Sequence, residues 1–170
     1  MEQLKSPRCG YFLQLNSSLE VFLRTPKNSS YFENPWYVGW KVCQKTINDK
    51  FAQLVGRPNF FHENASIFTL PHVYMGTPGP GVFEFHVDLH VSPSWQIQLT
   101  GRKIWRVHPP PECWNTCSKN IIEILLEPGD ALFVQSGYWY HATEVLGTNL
   151  SELSQVFIFD YESGLLSDLI

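Results

Sequence analysis

Three side chains that can bind a divalent metal stand in two well-separated stretches of this sequence. His86 and Asp88 are two residues apart, and His141 follows far along the chain, after a segment rich in turn residues and aromatics. Two imidazoles and one carboxylate on one side of a metal leave other coordination positions open, an arrangement that suits Fe(II) and oxygen chemistry. The pattern therefore predicts a catalytic metal site formed by His86, Asp88 and His141.

The segment Val82–Val91 is predicted to be a strand, and alternation along a strand would place four possible ligands on one face. Those four are Glu84, His86, Asp88 and His90. Burial of such groups without partners costs on the order of 2–7 kcal/mol each, so they need a metal, a polar lumen or solvent. A solvent-exposed strand face is one alternative, with His141 a core histidine bonded to a backbone carbonyl. Another is a metal set of His86, His90 and His141 with Glu84.

A possible anion site lies between the two stretches. Gly101-Arg102-Lys103 opens an apolar segment, and such a turn could direct the Lys103 ammonium into a barrel, where a bound dicarboxylate would supply its counter-charge. The alternative is that Arg102 and Lys103 are turn residues in water. Gln98 and Tyr74 are further candidates for the lining of the same pocket and for cofactor binding, with packing as the alternative role.

The elements that would position these side chains change in type near residue 60. Leu19–Leu23 and Ile47–Val55 have the apolar spacing of short helices, whereas later segments are short, apolar and separated by glycine- and proline-rich turns. The predicted strands are Ile67–Met75, Val82–Val91, Trp95–Leu99, Lys103–Val107, Ile121–Leu126, Ala131–Val134, Tyr140–Val145 and Gln155–Asp160. We therefore predict a mainly β fold, in one domain over residues 1–170, with an N-terminal helical annex at about 1–58 and a barrel at about 60–161.

Composition excludes several classes of function. Hydrophobic residues make up 44% of the chain and charged residues 16%, with a net charge of −4, which disfavours nucleic-acid binding because that needs a basic face. No apolar run is long enough for a membrane span, and no signal peptide is visible. These features favour a cytoplasmic or nuclear protein.

Two smaller patterns bear on the compartment and on the cysteines. Asn-x-Ser sequons hint at a secretory context; their asparagines are Asn16, Asn28, Asn64 and Asn149. Cys113 and Cys117 are too isolated to form a four-ligand zinc site by themselves. We interpret these two cysteines as free or buried thiols.

Taken in order, the motifs resemble the cupin-like JmjC hydroxylases. The matching motifs are Trp36-Tyr37-Val38-Gly39-Trp40, His86-x-Asp88, Gln98-Leu99-Thr100-Gly101-Arg102-Lys103-Ile104-Trp105 with Pro109-Pro110, and Pro128-Gly129-Asp130 through Tyr140-His141. The resemblance covers about residues 36–161. The sequence departs from the pattern at Phe83, where many relatives carry threonine, and in the strand after His141, which lacks an asparagine found in many of them.

The resemblance implies a double-stranded β-helix, the jelly-roll barrel of the cupins. It further implies Fe(II) held by His86, Asp88 and His141, and 2-oxoglutarate with its far carboxylate on Lys103. The implied reaction couples O2 and the decarboxylation of 2-oxoglutarate to succinate with hydroxylation, or oxidative demethylation, of an unidentified protein side chain or small molecule. A catalytically silent binding module, or a cupin that uses another metal set without 2-oxoglutarate, remains the alternative.

Overall fold

The chain folds mainly into antiparallel β-strands, as predicted. The computed structural model describes residues 11–13, 19–26, 29–61, 63–64, 66–82, 84–89 and 93–162. Its helices and strands are β1 (Tyr11–Leu13), α1 (Leu19–Arg24), β2 (Tyr37–Lys41), α2 (Lys45–Val55), β3 (Ser66–Gly76), β4 (Gly79–Pro80), β5 (Ser94–Thr100), β6 (Arg102–His108), β7 (Ile122–Leu126), β8 (Ala131–Val134), β9 (Tyr140–Leu146) and β10 (Ser154–Glu162).

The strands form two antiparallel sheets. The larger has the order β1-β2-β3-β10-β5-β8 and the smaller the order β4-β9-β6-β7. The chain passes from one sheet to the other between β5 and β6 through Gly101, whose φ is +67°. A Cβ at this position would lie 2.7 Å from the carbonyl oxygen of Leu153. The turn therefore requires glycine for both its conformation and its space.

Alternation along β5 separates an apolar face from a polar one. Trp95 is fully buried and stacks on Phe159 with ring centroids 4.7 Å apart. Together with Ile97 and Leu99 it packs in the cluster that includes Phe51 of α2, so helix α2 covers this face of the larger sheet. Ser94, Gln96 and Gln98, at the intervening positions, are also buried. They belong to the opposite face.

The two sheets are joined by a second apolar cluster and by the cavity beside it. Trp105 and Val107 of β6 pack with Leu126 of β7. Leu132 and Val134 of β8, from the larger sheet, pack against them together with Trp139. The side chains of the candidate site lie next to this cluster.

The prediction of a strand over Val82–Val91 is wrong for the residues that the structure describes. Only an isolated bridge between His86 and His141 is formed there. Val82 pairs with Thr143 through a backbone hydrogen bond of 2.8 Å. Three residues lie between Val82 and His86, but only one lies between His141 and Thr143 on the partner strand. The extra residues between Val82 and His86 interrupt the pairing with β9, so the side chains do not alternate as in a strand.

Other predictions have mixed outcomes. The interpretation of Cys113 and Cys117 as thiols is wrong, because the two sulfurs form a disulfide. The division into annex and barrel stays a prediction, and the region before residue 58 contains strands as well as helices. Phe83 and His90 lie outside the described residues. Within the described ranges, no helix has the length and apolar character needed to cross a bilayer.

The buried ring pair on β5 and β10 generates a test of the core. We expect Trp95→Ala to lower the free energy of unfolding by about 3–5 kcal/mol, since it removes a large buried ring and leaves a cavity. Leu54→Ala is the control, because Leu54 is 75% exposed, and its change should stay within about 0.5 kcal/mol. Urea unfolding followed by fluorescence and circular dichroism measures both. Similar losses in the two variants would contradict this description of the core.

Candidate metal centre

His86 and His141 are paired directly across two chain segments. The backbone N–H of His86 donates to the carbonyl oxygen of His141 at 3.1 Å, and the N–H of His141 donates to the carbonyl oxygen of His86 at 2.9 Å. Their ring centroids are 4.4 Å apart. The backbone N–H of Asp88 donates to the carbonyl oxygen of Ser136 at 2.9 Å. These bonds bring the carboxylate and both imidazoles to one point.

The donor atoms of these side chains are close enough to share one ion. Asp88 Oδ1 lies 4.0 Å from His86 Nε2 and 3.9 Å from His141 Nε2. All three donor atoms lie within 4.8 Å of one another. Metal bonds to nitrogen and oxygen are about 2.0–2.2 Å long, so two donors to one ion lie at most about 4.4 Å apart. Small side-chain rotations would bring all three into bonding range.

The structure gives less support to the alternative metal set of His86, His90 and His141 with Glu84. Among the described residues, the cluster able to hold an ion consists of His86, Asp88 and His141. Glu84 is exposed and offers His86 only its backbone carbonyl. His90 lies outside the described residues.

Hydrogen bonds to backbone carbonyls orient both imidazoles. Nδ1 of His86 bonds to the carbonyl oxygen of Glu84 at 2.8 Å, and Nδ1 of His141 bonds to that of Trp139 at 3.0 Å. A carbonyl oxygen can only accept, so Nδ1 carries the proton in each ring and Nε2 keeps its lone pair for a metal. These bonds therefore select the tautomer that metal binding requires.

His141 is held more firmly than His86. The Trp105 ring stacks on the His141 imidazole, with centroids 5.0 Å apart and planes 21° apart. Burial lowers the pKa of His141, an effect that its bond to the Trp139 carbonyl and the charge of Asp88 partly oppose. A neutral imidazole is the form that binds metal.

The three side chains line a cavity of about 360 Å³. Lys103 also lines it and is only 1% exposed. Its Nζ donates to the Tyr37 hydroxyl at 2.5 Å, and in the described part of the chain no carboxylate lies within ion-pair distance of it. Burial lowers the pKa of Lys103 from its ordinary 10.5 to about 7. An anion in the cavity would stabilise the charged form.

Tyr37 is a cavity residue that the sequence analysis did not identify. Its hydroxyl meets Lys103 across the two sheets, from β2 to β6. Burial, reinforced by Tyr74, raises the pKa of Tyr37 above its ordinary range, so the phenol stays protonated and can donate. No pattern within β2 or β6 predicts this contact, because it depends on how the sheets pack.

The two other predicted cofactor-binding residues differ in position. Tyr74 lines the cavity, and burial together with the charges of Asp88 and Asp160 raises its pKa to about 12. Gln98 does not line the cavity. Its Nε2 donates to the carbonyl oxygen of Thr100 and to Ser154 Oγ, each at 2.7 Å, so it supports the turn into β6.

Gln96, two residues before Gln98, has neither side-chain amide atom in a hydrogen bond within the described part of the chain, whereas Gln98 lacks a partner only at Oε1. Gln96 is 1% exposed. It pairs across the sheet with Ile158, which lines the cavity. Buried amides normally bond to protein, water or ligand, so the Gln96 amide is an exception, although Gln96 is not among the residues that line the cavity.

Comparisons with known proteins place this geometry in context. No family model matches the chain. The chain is 24% identical to the 2-oxoglutarate and iron-dependent oxygenase JMJD4 of Mus musculus, over 66% of this chain and 34% of that protein. It is 30% identical to the Danio rerio JMJD4, over 46% of this chain and 24% of that protein. The chain thus spans about a third or less of the length of these curated relatives.

A solved structure shares the fold. YcfD, a ribosomal oxygenase from Escherichia coli in complex with cobalt and 2-oxoglutarate, superimposes with a TM-score of 0.51 at 22% identity. The match covers 79% of this chain and 34% of YcfD. The fold and the His–Asp–His cluster therefore define a mainly antiparallel β protein with a candidate metal centre between its sheets. In sequence, the chain is similar to the 2-oxoglutarate and iron-dependent oxygenases named JMJD4.

The buried ammonium of Lys103 generates a pH prediction. In the unfolded chain Lys103 keeps its proton up to about pH 10.5, whereas in the folded chain it loses it near pH 7. Between these values the unfolded state binds more protons, so the free energy of unfolding should rise with pH, by at most about 1.4 kcal/mol per pH unit. Urea unfolding at pH 7 to 10 measures this slope.

Lys103→Met should remove that rise, because methionine keeps the length of the side chain without its charge. Lys45→Met is the matched control, since the Lys45 side chain is 86% exposed, and it should leave the slope unchanged. In the folded chain, burial keeps the pKa of His141 below this window and raises the pKa values of Tyr37 and Tyr74 above it. A slope that survives in Lys103→Met would show that another group causes it.

Proposed function

We propose that this chain is the catalytic domain of an Fe(II)- and 2-oxoglutarate-dependent oxygenase that hydroxylates, or oxidatively demethylates, a protein side chain or a small molecule. The observation that carries the proposal is that one cavity holds both the His86–Asp88–His141 cluster and the buried ammonium of Lys103. The first provides metal ligands and the second a counter-charge for a dicarboxylate.

His86, Asp88 and His141 would hold the iron. The carbonyls of Glu84 and Trp139 keep both Nε2 atoms free to bind it, and the carboxylate offsets part of its charge. When bound, Fe(II) with 2-oxoglutarate supplies the oxidation of an unactivated C–H bond by O2, coupled to the decarboxylation of 2-oxoglutarate to succinate. Three protein ligands on one ion leave positions open for that chemistry.

Lys103 and Tyr37 would bind the far carboxylate of 2-oxoglutarate. The ammonium attracts it, the tyrosine hydroxyl can bond to it, and the low dielectric of the buried site strengthens both interactions. Thr143 and Tyr74 add hydroxyl groups to the lining. A cavity of about 360 Å³ lies in the range usual for small-molecule sites.

We also propose that the two sheets form a double-stranded β-helix within a single domain over residues 1–170. The crossing of the chain between sheets at Gly101 supports this, as does the cavity enclosed by strands of both. In such a barrel the smaller sheet would supply His141 and Lys103, through β9 and β6. The larger sheet would close the cavity through Tyr37 and Tyr74.

A catalytically silent module is the competing function. The buried cation argues against it, because a module without a ligand would retain a costly charge for no purpose, whereas apolar residues at position 103 would be more stable. The cavity is also open rather than filled by side chains of the described residues.

The test is turnover of 2-oxoglutarate by the purified chain with Fe(II) and ascorbate, with succinate followed by NMR. We expect Asp88→Ala to abolish succinate formation and Lys103→Met to raise the KM for 2-oxoglutarate by at least about tenfold, because loss of one partner of a buried charge pair costs about 2–5 kcal/mol. Tyr37→Phe should have a smaller effect in the same direction.

Lys45→Met is the control for a lysine remote from the cavity, and it should match the unaltered chain. Calorimetric titration separates binding from turnover. Metal-loaded protein that does not bind 2-oxoglutarate, or a Lys103→Met variant with unchanged KM, would contradict the proposal.

A further inference from the structure

We propose that Asn149 is a site of N-linked glycosylation, and hence that this chain is made in an oxidising secretory compartment. The proposal does not depend on the proposed function. It rests on the folded geometry of one sequon and on the state of the cysteines, two features that catalysis does not explain. It replaces the cytoplasmic or nuclear location favoured from the sequence.

The sequon Asn149-Leu150-Ser151 forms a compact turn between β9 and β10. The backbone N–H of Ser151 donates to Asn149 Oδ1 at 2.9 Å, and the Ser151 hydroxyl donates to the same oxygen. Such side-chain-to-backbone turns are common for asparagine. Donation to Oδ1 draws electron density from the amide nitrogen and so makes its protons easier to remove. The folded turn therefore holds the Ser151 hydroxyl in contact with the Asn149 amide.

The Asn149 amide is accessible and can carry a sugar without losing its support. Asn149 is exposed, and its Nδ2 donates to Glu152 Oε1 at 3.1 Å. Nδ2 carries two hydrogens, so replacing one with a sugar leaves the other for Glu152. The residue lines a shallow surface cleft that does not include the metal-site side chains. A glycan here would leave the cavity open.

The cysteines provide an independent observation. Cys113 and Cys117 are joined by a disulfide, and Cys43 is also disulfide-bonded. No free thiol is present among the cysteines that the structure describes. Structural disulfides persist in oxidising compartments and are rare in the cytosol. N-linked transfer to Asn-x-Ser takes place in that same environment, so disulfide and sequon imply one location.

The transfer is a substitution that needs no oxidant. The donor class is an oligosaccharide joined through its first sugar carbon to a lipid pyrophosphate. An N–H bond of Asn149 Nδ2 breaks, a bond forms between Nδ2 and that carbon, and the carbon–oxygen bond to the pyrophosphate breaks. The lipid pyrophosphate leaves with the bonding pair, and the amide proton passes to a carboxylate base of the transferase.

The experiment uses the native protein, isolated with an antibody from the cells that produce it. We expect peptide N-glycosidase F in ¹⁸O-water to increase its gel mobility and to convert Asn149 into ¹⁸O-labelled aspartate in the peptide mass spectrum. Asn64, in another sequon, is also exposed and serves as an internal comparison. A glycan on Asn64 with unmodified Asn149 would overturn the assignment, and so would a native chain with no glycan.

Variants of the full chain expressed in the same cells distinguish the sequon from its surroundings. Asn149→Gln and Ser151→Ala should each remove one glycan, whereas Ser151→Thr should retain it because threonine also provides the hydroxyl. Asn120→Gln is the control, since Asn120 is exposed and outside any sequon. Circular dichroism of the deglycosylated proteins checks folding. A folded Ser151→Ala variant that keeps the glycan at position 149 would also overturn the proposal.

Discussion

The reciprocal backbone hydrogen bonds between His86 and His141 are the constraint on which the site depends. Residues that exchange both bonds across an antiparallel pair carry their side chains on the same side, so the pairing itself directs both imidazoles to one point. Asp88 is then placed by its bond to Ser136 rather than by strand periodicity. The stack of Trp105 on His141 connects this point to the apolar cluster between the sheets. The positions of the candidate ligands are thus fixed by hydrogen bonds that these residues themselves make.

A second constraint is the burial of Lys103. A fully buried ammonium with a tyrosine hydroxyl as its partner is unfavourable unless an anion joins it. Neutralisation offers partial relief, as the lowered pKa of this lysine indicates. Natural proteins retain such groups mostly where a ligand uses them. The same cavity therefore contains three side chains that can bind a cation and a lysine ammonium that can bind an anion.

The sequence predicted the elements whose apolar pattern is local and regular, and the structure confirms strands close to the predicted limits at β3, β5, β6 and β8. Residue types and their order along the chain also identified the three candidate ligands. The strand prediction was wrong around His86, where strand pairing decides the structure. The sequence there alternates like a strand, but its extra residues cannot stay in register with β9. The role of Tyr37 could not be predicted, because its contact with Lys103 arises from packing between the sheets, and Gln98 has local partners that no spacing indicates.

We infer that three side chains, brought together by backbone hydrogen bonds, hold one metal ion. Anomalous diffraction at the cobalt edge from crystals of the chain grown with Co²⁺ tests it most directly. We predict one strong peak within bonding distance of Nε2 of His86, Nε2 of His141 and the carboxylate of Asp88. A fully loaded crystal whose cobalt lies elsewhere, or is bound without His141, would contradict the account.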